Sequence, residues 1–327
     1  MNKTIQQPLR FAPYYKQVIW GGNRIADYKQ ETIAMSNVGE SWEISAVPGH
    51  ESVVIGDSDL NGANICQLID QFGADFLGTE VQRKYGNRFP LLIKIIDACS
   101  NLSVQVHPDD NLAMQRHNSL GKTEMWYVLG TTANSRIYCG LSAPLDANSY
   151  AKSIEDGSIM EYVTTYRSAP RQFYFVPAGT VHAIGAGNLI AEIQEASDIT
   201  YRIYDYNRKD ADGNLRQLHT AEACEAINYA YPNVATPTSC IYDYTRKKAI
   251  SSEHFKVDFL MIRTESDAQT VNTEGRSFAI LMVTEGSLDI HYGDNIATSR
   301  AGVTILLPAC IGKFELHGCG TALLIYC

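Results

Sequence analysis

Between Pro90 and Gln194 the chain is cut into short apolar or alternating runs, each closed by glycine, proline or asparagine. Pro90–Ile96, Leu102–His107, Glu124–Leu129, Gln172–Val176 and Leu189–Gln194 are the clearest of them. Runs this short suit strands rather than helices, and many of them separated by turn residues point to a sandwich or barrel. Helical spacing is confined to two places. From Ala63 to Lys84, Ile65, Leu68, Ile69, Phe72, Phe76 and Leu77 recur at about 3.6 residues. A second candidate helix runs from Asp146 to Tyr162, after Pro144. The stretch Tyr231 to Ser239 is polar, holds two prolines and reads as a linker. Strand patterns resume beyond it at His254–Ile262, Phe278–Val283, Ser287–Tyr292, Thr304–Leu307 and Ala322–Tyr326. The expected fold is mainly β: two jelly-roll β domains with a few short helices, divided into residues 1–235 and 236–327.

A chain of 327 residues with 45% hydrophobic content can bury a core that needs no disulfides. Its eight cysteines are scattered and form no C-x-x-C pair, which suits reduced thiols in a cytosolic protein. The opening MNKTIQQPLRFAPYYK lacks the apolar segment of a signal peptide, and no run approaches the ~20 residues of a membrane span. The expectation is a cytoplasmic protein with no membrane partner. The net charge of -9 argues against nucleic acid as a partner. It also means that any phosphorylated ligand must be met by cations gathered locally.

Three segments carry metal-binding chemistry. In Leu102-Ser-Val-Gln-Val-His107 the alternation puts Leu102, Val104 and Val106 on one side of a strand and Ser103, Gln105 and His107 on the other. Glu124 opens an otherwise apolar strand, where a buried carboxylate requires a partner. Phe175-Val-Pro-Ala-Gly-Thr-Val-His182 is an apolar strand, a Pro-x-Gly turn and a histidine redirected toward a barrel mouth. A lone histidine or strand-end glutamate is more often an ordinary structural group. The ordered combination of Gln105, His107, Glu124 and His182 supplies one amide, two imidazoles and one carboxylate, a fitting donor set for Zn²⁺ or a similar divalent ion.

The same combination resembles the two cupin motifs, with Gln105 where the usual pattern has histidine. Gln-x-His-Pro-Asp in turn is similar to the signature of type I mannose-6-phosphate isomerases. That resemblance covers most of the first 220 residues. It runs through Trp20-Gly-Gly, Gly39-Glu-Ser-Trp-Glu-Ile-Ser45, Pro90-Leu-Leu-Ile-Lys-Ile, Leu102 to Asp109, Lys122-Thr-Glu-Met-Trp126, Pro177 to His182, Glu192-Ile-Gln194 and Ser197 to Arg202. It implies two cupin-like jelly-roll β domains and one Zn²⁺ per chain on Gln105, His107, Glu124 and His182. It also implies a hexose 6-phosphate substrate, with Arg202 as the active-site arginine and Lys94, Ser103, Lys122 and Glu192 lining the pocket. With only 57 residues between Glu124 and His182, the chain matches the short bacterial form and lacks the family's large helical insertion.

Aldose–ketose isomerisation through a cis-enediol needs a proton carrier, a stabiliser of the developing oxyanion and cations for the phosphate. Arg202 and the metal suit the oxyanion. Lys94, Lys122 and Arg202 suit the phosphate. Glu192, Lys122 or a metal-bound water are the candidates for moving the proton, unless Glu192 only orients its neighbours. Two readings compete: a sugar-binding or regulatory cupin without chemistry, and an Fe²⁺ oxygenase, which Gln105 fits poorly. Aligning the C-terminal strands on the first domain puts Ile280 at the place of Glu124 and Lys313 at that of His182, so the second domain is expected to be a cupin without metal ligands. His50, His117, His219, His254, His291 and His317 match no motif and are read as structural or exposed.

Overall fold

The computed structural model describes residues 5–209, 212–230, 238–239 and 245–327. The fold is mainly β and cupin-like, and the described residues form three large antiparallel sheets. The first runs in the order Thr238–Ser239, Gln172–Val176, Glu124–Thr131, Asn188–Glu195, Leu91–Ala98, Tyr14–Gly22, Val38–Ile44. The second runs Tyr201–Tyr204, Val104–Val106, His182–Ile184, Arg136–Leu141, Val163–Arg167. The third is C-terminal and is built on two long strands, Ala279–Tyr292 and Lys313–Tyr326, which pair along most of their length.

The first sheet is buried on both faces, so its strands read as continuous apolar runs. Leu91, Ile93, Ile95, Met125, Tyr127, Ala191 and Ile193 point into the largest core. That core also takes Ile65, Leu68 and Phe76 from helices and Val257, Phe259, Ile280, Met282, Leu323 and Ile325 from the C-terminal sheet. The alternate residues Ile96, Trp126, Val128 and Ile190 face the second sheet, packing on Ile137, Cys139 and Ile184. Lys94, Glu124 and Glu192 occupy this second face, between the two N-terminal sheets.

The expected helix over 63–84 is three short ones, Ile65–Phe72, Ala74–Leu77 and Thr79–Tyr85. The apolar spacing is right, but Gly73 and Gly78 adopt φ of 50° and 95° and turn the chain twice. The second expected helix spans Ala147–Glu155, capped by Asp146, and gives way to a 3₁₀ turn at Ile159–Tyr162. The expected linker lies outside the described residues over 231–237, while Thr238–Ser239 add a strand to the edge of Gln172–Val176. Two runs expected as separate strands, Phe278–Val283 and Ser287–Tyr292, are one strand with a register shift between Val283 and Glu285.

The alignment of the second barrel on the first is corrected in its facing. Ile280 points into the core shared with the N-terminal sheet, whereas its neighbour Leu281 faces the interior of the C-terminal unit. Glu124 faces the interior of its own unit, so the two positions are out of step by one residue. Lys313 has a largely exposed side chain. Among the described residues, no helix is long and apolar enough to cross a membrane.

The contact between the halves of the chain is aromatic as well as aliphatic. Phe278 is fully buried and stacks on Phe89, with ring centroids 4.8 Å apart. Phe278→Ala is expected to cost about 3–5 kcal/mol by cavity formation, read as a lowered urea midpoint. An unchanged midpoint would mean that this contact does not hold the halves together.

Candidate metal centre and active-site cavity

Strand register assembles the site. His182 is the cross-strand partner of Gln105, and Gln105 is on its other side the partner of Arg202. In the facing sheet Glu192 stands between Lys94 and Trp126. Three groups far apart in sequence converge here, with His107, Glu124 and His182 all essentially inaccessible. Glu124 Oε1 lies 3.3 Å from His182 Nε2, and Glu124 Oε2 lies 3.5 Å from His107 Nε2. Gln105 Nε2 is 3.3 Å from His182 Nε2; half a turn of that amide presents its Oε1 instead.

The imidazoles are oriented from behind. His107 Nδ1 lies 2.9 Å from the Ile199 carbonyl, and His182 Nδ1 lies 2.8 Å from the Thr180 carbonyl. A carbonyl only accepts, so each Nδ1 carries the proton and each Nε2 turns a lone pair toward Glu124. Burial and the Lys122 charge both push these histidines below their ordinary range, keeping them neutral. Burial pushes the Glu124 carboxyl up, against the pull of Lys122. Its Oε1 meets no hydrogen-bond donor among the described residues. The Lys122 ammonium sits 2.8 Å from both Glu124 Oε2 and His107 Nε2. Two neutral imidazoles, an amide and a buried carboxylate short of positive charge fit a divalent cation.

The cluster borders a cavity of about 320 Å³. Ser103, Gln105, Lys94, Lys122, Glu192 and Arg202 all line it. Its wall also takes Lys16, Glu40, Asp198 and Arg216, to which the sequence reading gave no role in the chemistry. Glu40 sits inside the Gly39-Glu-Ser-Trp-Glu motif, and Trp42 from that motif is buried as a core residue while donating to Glu40 through Nε1. Asp198 lies in the segment leading to Arg202. Nothing local in the sequence marks Lys16 or Arg216.

The charges are not equivalent. Lys94 Nζ is 3.0 Å from Glu192 Oε2 and 3.6 Å from Glu40 Oε2, so its charge is already matched. Glu192 Oε1 accepts from Trp126 Nε1. Burial raises the Glu192 carboxyl, but Lys94, Lys122 and these hydrogen bonds outweigh it and bring it down to about 2. Arg216 is held by Asp205, at 2.6 Å. Arg202 forms no carboxylate ion pair among the described residues, and its Nε has no acceptor there.

Residues 9–133 match the family model for the catalytic domain of type I phosphomannose isomerase. Mannose-6-phosphate isomerase ManA of Bacillus subtilis (strain 168) is 35% identical over 95% of this chain and 96% of its own. This chain belongs to the type I phosphomannose isomerase family. A second member, the mannose-6-phosphate isomerase of Streptococcus mutans serotype c, is 32% identical over 95% of this chain and 96% of its own. The crystal structure of the Bacillus subtilis mannose 6-phosphate isomerase superposes with a TM-score of 0.85 at 32% identity, covering 98% of this chain and 99% of that one. Family membership therefore extends over both halves of the fold, including the C-terminal sheet.

The Lys94–Glu192 pair makes a stability prediction. Lys94→Met leaves the Glu192 carboxylate buried without its cation, an expected loss of about 3–5 kcal/mol at neutral pH. Glu192 is held low in the folded protein, so its contribution is present above the ordinary carboxyl range and lost as pH falls through about 2. In the variant the carboxyl takes up a proton on acidification, so the difference between the two proteins narrows between pH 7 and pH 4. Chemical denaturation at both pH values measures it; a constant difference would refute the pairing.

Proposed function

We propose that this chain interconverts mannose 6-phosphate and fructose 6-phosphate, with one Zn²⁺ held by Gln105, His107, Glu124 and His182. The observation that carries the reading is the junction of that neutral-imidazole cluster with a cavity lined by Lys16, Lys94, Lys122, Arg202 and Arg216 in a member of this family. A bound divalent ion supplies Lewis-acid stabilisation of negative charge developing on the sugar oxygens. The remaining tasks fall to the chain's own side chains.

Arg202 is the cation in the wall with no carboxylate to satisfy, which suits it to the substrate's phosphate or developing oxyanion. Lys94 contributes less free charge, since Glu192 and Glu40 neutralise it. We assign it and Ser103 to positioning the sugar at the cavity wall. Glu192 is one of the candidates for the proton. Held near 2 by its cations, with Oε1 accepting from Trp126 and Oε2 in an ion pair with Lys94, it is a weak base, and we assign it to fixing Lys94 and Trp126. Lys122 is the better proton carrier, because its Nζ reaches the metal cluster and also faces the cavity. This resolves the charge problem of an acidic protein with a phosphorylated substrate: the attraction is local. We read residues 1–235 as the catalytic unit and 236–327 as a companion without metal ligands. We place the enzyme in the cytoplasm, where its scattered cysteines stay reduced.

Purified protein is expected to convert mannose 6-phosphate in a coupled assay, to lose turnover on chelation and to recover it with zinc. Fully metallated protein without turnover would refute the isomerase and favour a sugar-binding cupin. Arg202→Ala should lower kcat/KM by about 10²–10³, the cost of removing one donor to a developing anion, while metal content measured by elemental analysis stays at one per chain. Retained activity in that variant would remove Arg202 from the reaction.

A further inference from the structure

Lys122 lies in a segment that belongs to no helix and no strand, from residue 118 to residue 123. No sheet ladder or helix therefore fixes its backbone, yet its ammonium must be delivered to a fixed point. The amides of Lys122 and its two neighbours are held from outside the segment. Gly121 N donates to Asp110 Oδ1 at 2.7 Å, Lys122 N to the Pro108 carbonyl at 3.1 Å, and Thr123 N to Glu195 Oε2 at 2.7 Å. Gly121 comes so close to the Asp109–Asp110 backbone that a Cβ there would lie 2.6 Å from the Asp110 amide nitrogen. Of the two carboxylates that grip the amides on either side of Lys122, Asp110 is exposed, but Glu195 is buried and needs positive charge in turn.

That charge comes from the other half of the chain. His254 sits in the turn joining Arg246–Ser251 to Lys256–Ile262, and Ser252 ties the turn down by accepting from the His254 and Phe255 amides. Phe255 anchors the same turn in the shared core. His254 Nδ1 lies 2.9 Å from Glu195 Oε1 and 3.9 Å from Asp110 Oδ2, while Nε2 faces Glu253 at 3.3 Å. We propose that His254, supplied by the C-terminal sheet, is a positioning residue for Lys122: it bridges Glu195 and Asp110, which hold the Thr123 and Gly121 amides and so aim the Lys122 ammonium at the metal cluster.

Burial works against the imidazolium, but Glu195, with Asp110 and Glu253, outweighs it and raises His254 above its ordinary range. A half-buried imidazolium between two carboxylates thus takes the part of a fixed cation. The C-terminal sheet acquires a function beyond packing: its His254 Nδ1 meets Glu195 and Asp110 in a cluster separate from His107, Glu124 and His182. The proposal rests on the assignment of Lys122 to the reaction.

The test compares His254→Ala, His254→Gln and Lys84→Ala in the full-length, zinc-loaded enzyme. Lys84 also joins the two halves, through its Nζ and the Glu253 carbonyl, but does not touch the Lys122 segment. His254→Ala is expected to lower kcat about 10–100-fold, the scale of an ångström-sized misplacement, with KM for mannose 6-phosphate and zinc content unchanged. Hydrogen exchange at the Gly121 and Thr123 amides should speed up in parallel, since local opening becomes easier. His254→Gln, which keeps a donor toward Glu195, should recover part of both effects, and Lys84→Ala should resemble the wild type. Wild-type kcat and wild-type exchange in His254→Ala would overturn the proposal. So would an equal loss in Lys84→Ala, which would make the effect a general loosening between the halves. Exchange reports on the bridge even without turnover: faster exchange in a protein whose wild type is inactive upholds the bridge and sinks the isomerase reading. An active wild type with unmoved exchange in His254→Ala does the reverse.

Discussion

A carboxylate with no solvent access sits between two imidazoles that burial and Lys122 hold below their ordinary range. The unmet charge on Glu124 is the constraint around which the rest of the site is arranged. Burying an ionised group without compensation is prohibitive, and one lysine in ion-pair contact does not saturate both of its oxygens. The histidines add lone pairs rather than protons, because backbone carbonyls have already taken their Nδ1 hydrogens. The site is thus prepared for a cation by the positions of two carbonyl groups, those of Ile199 and Thr180.

The sheet that carries Glu124 explains why so polar a cluster survives inside a core. Each of its central strands alternates, but both faces are buried. One face meets the helices and the C-terminal sheet largely through apolar side chains, with the buried Asp97 and Glu195 at its ends. The other meets the second sheet, and its polar residues fall at one end, where the two sheets leave a cavity. Lys94, Glu192 and Trp126 form a row across three strands there. Antiparallel register keeps such a row aligned, because cross-strand partners on one face are held about 5 Å apart. A slip by one residue would send Lys94, Glu124 and Glu192 into the apolar core and abolish the site.

The C-terminal sheet supports this arrangement from behind. Its strands Lys256–Ile262, Ala279–Tyr292 and Lys313–Tyr326 send alternate residues into the shared core and into their own interior. The catalytic sheet therefore lies between two bodies of protein rather than against solvent. That enclosure keeps the polar row dry and in register, and it brings the turn at Ser252–Phe255 up to Glu195.

Much of the site was legible in the chain itself. The alternation of Ser103, Gln105 and His107, the lone acid opening Glu124–Leu129 and the Pro-x-Gly turn before His182 each carry a local signature, and together they name a candidate donor set and the family. Glu192 was visible as an acid in an apolar strand. Its partner was not, because pairing with Lys94 depends on which strands lie side by side, and that is decided by the packing of whole sheets. For the same reason Lys16 and Arg216 carry no local mark, and Ile280 aligns one residue out of facing. Two glycines broke a helix whose apolar spacing was read correctly. His254 read as an ordinary histidine because everything it touches comes from elsewhere in the chain. The sequence by itself determined the chemistry available, since donor types and their alternation are local properties of strands. Only the tertiary structure decided which charges neutralise one another, because that depends on distances between elements that the chain brings together last.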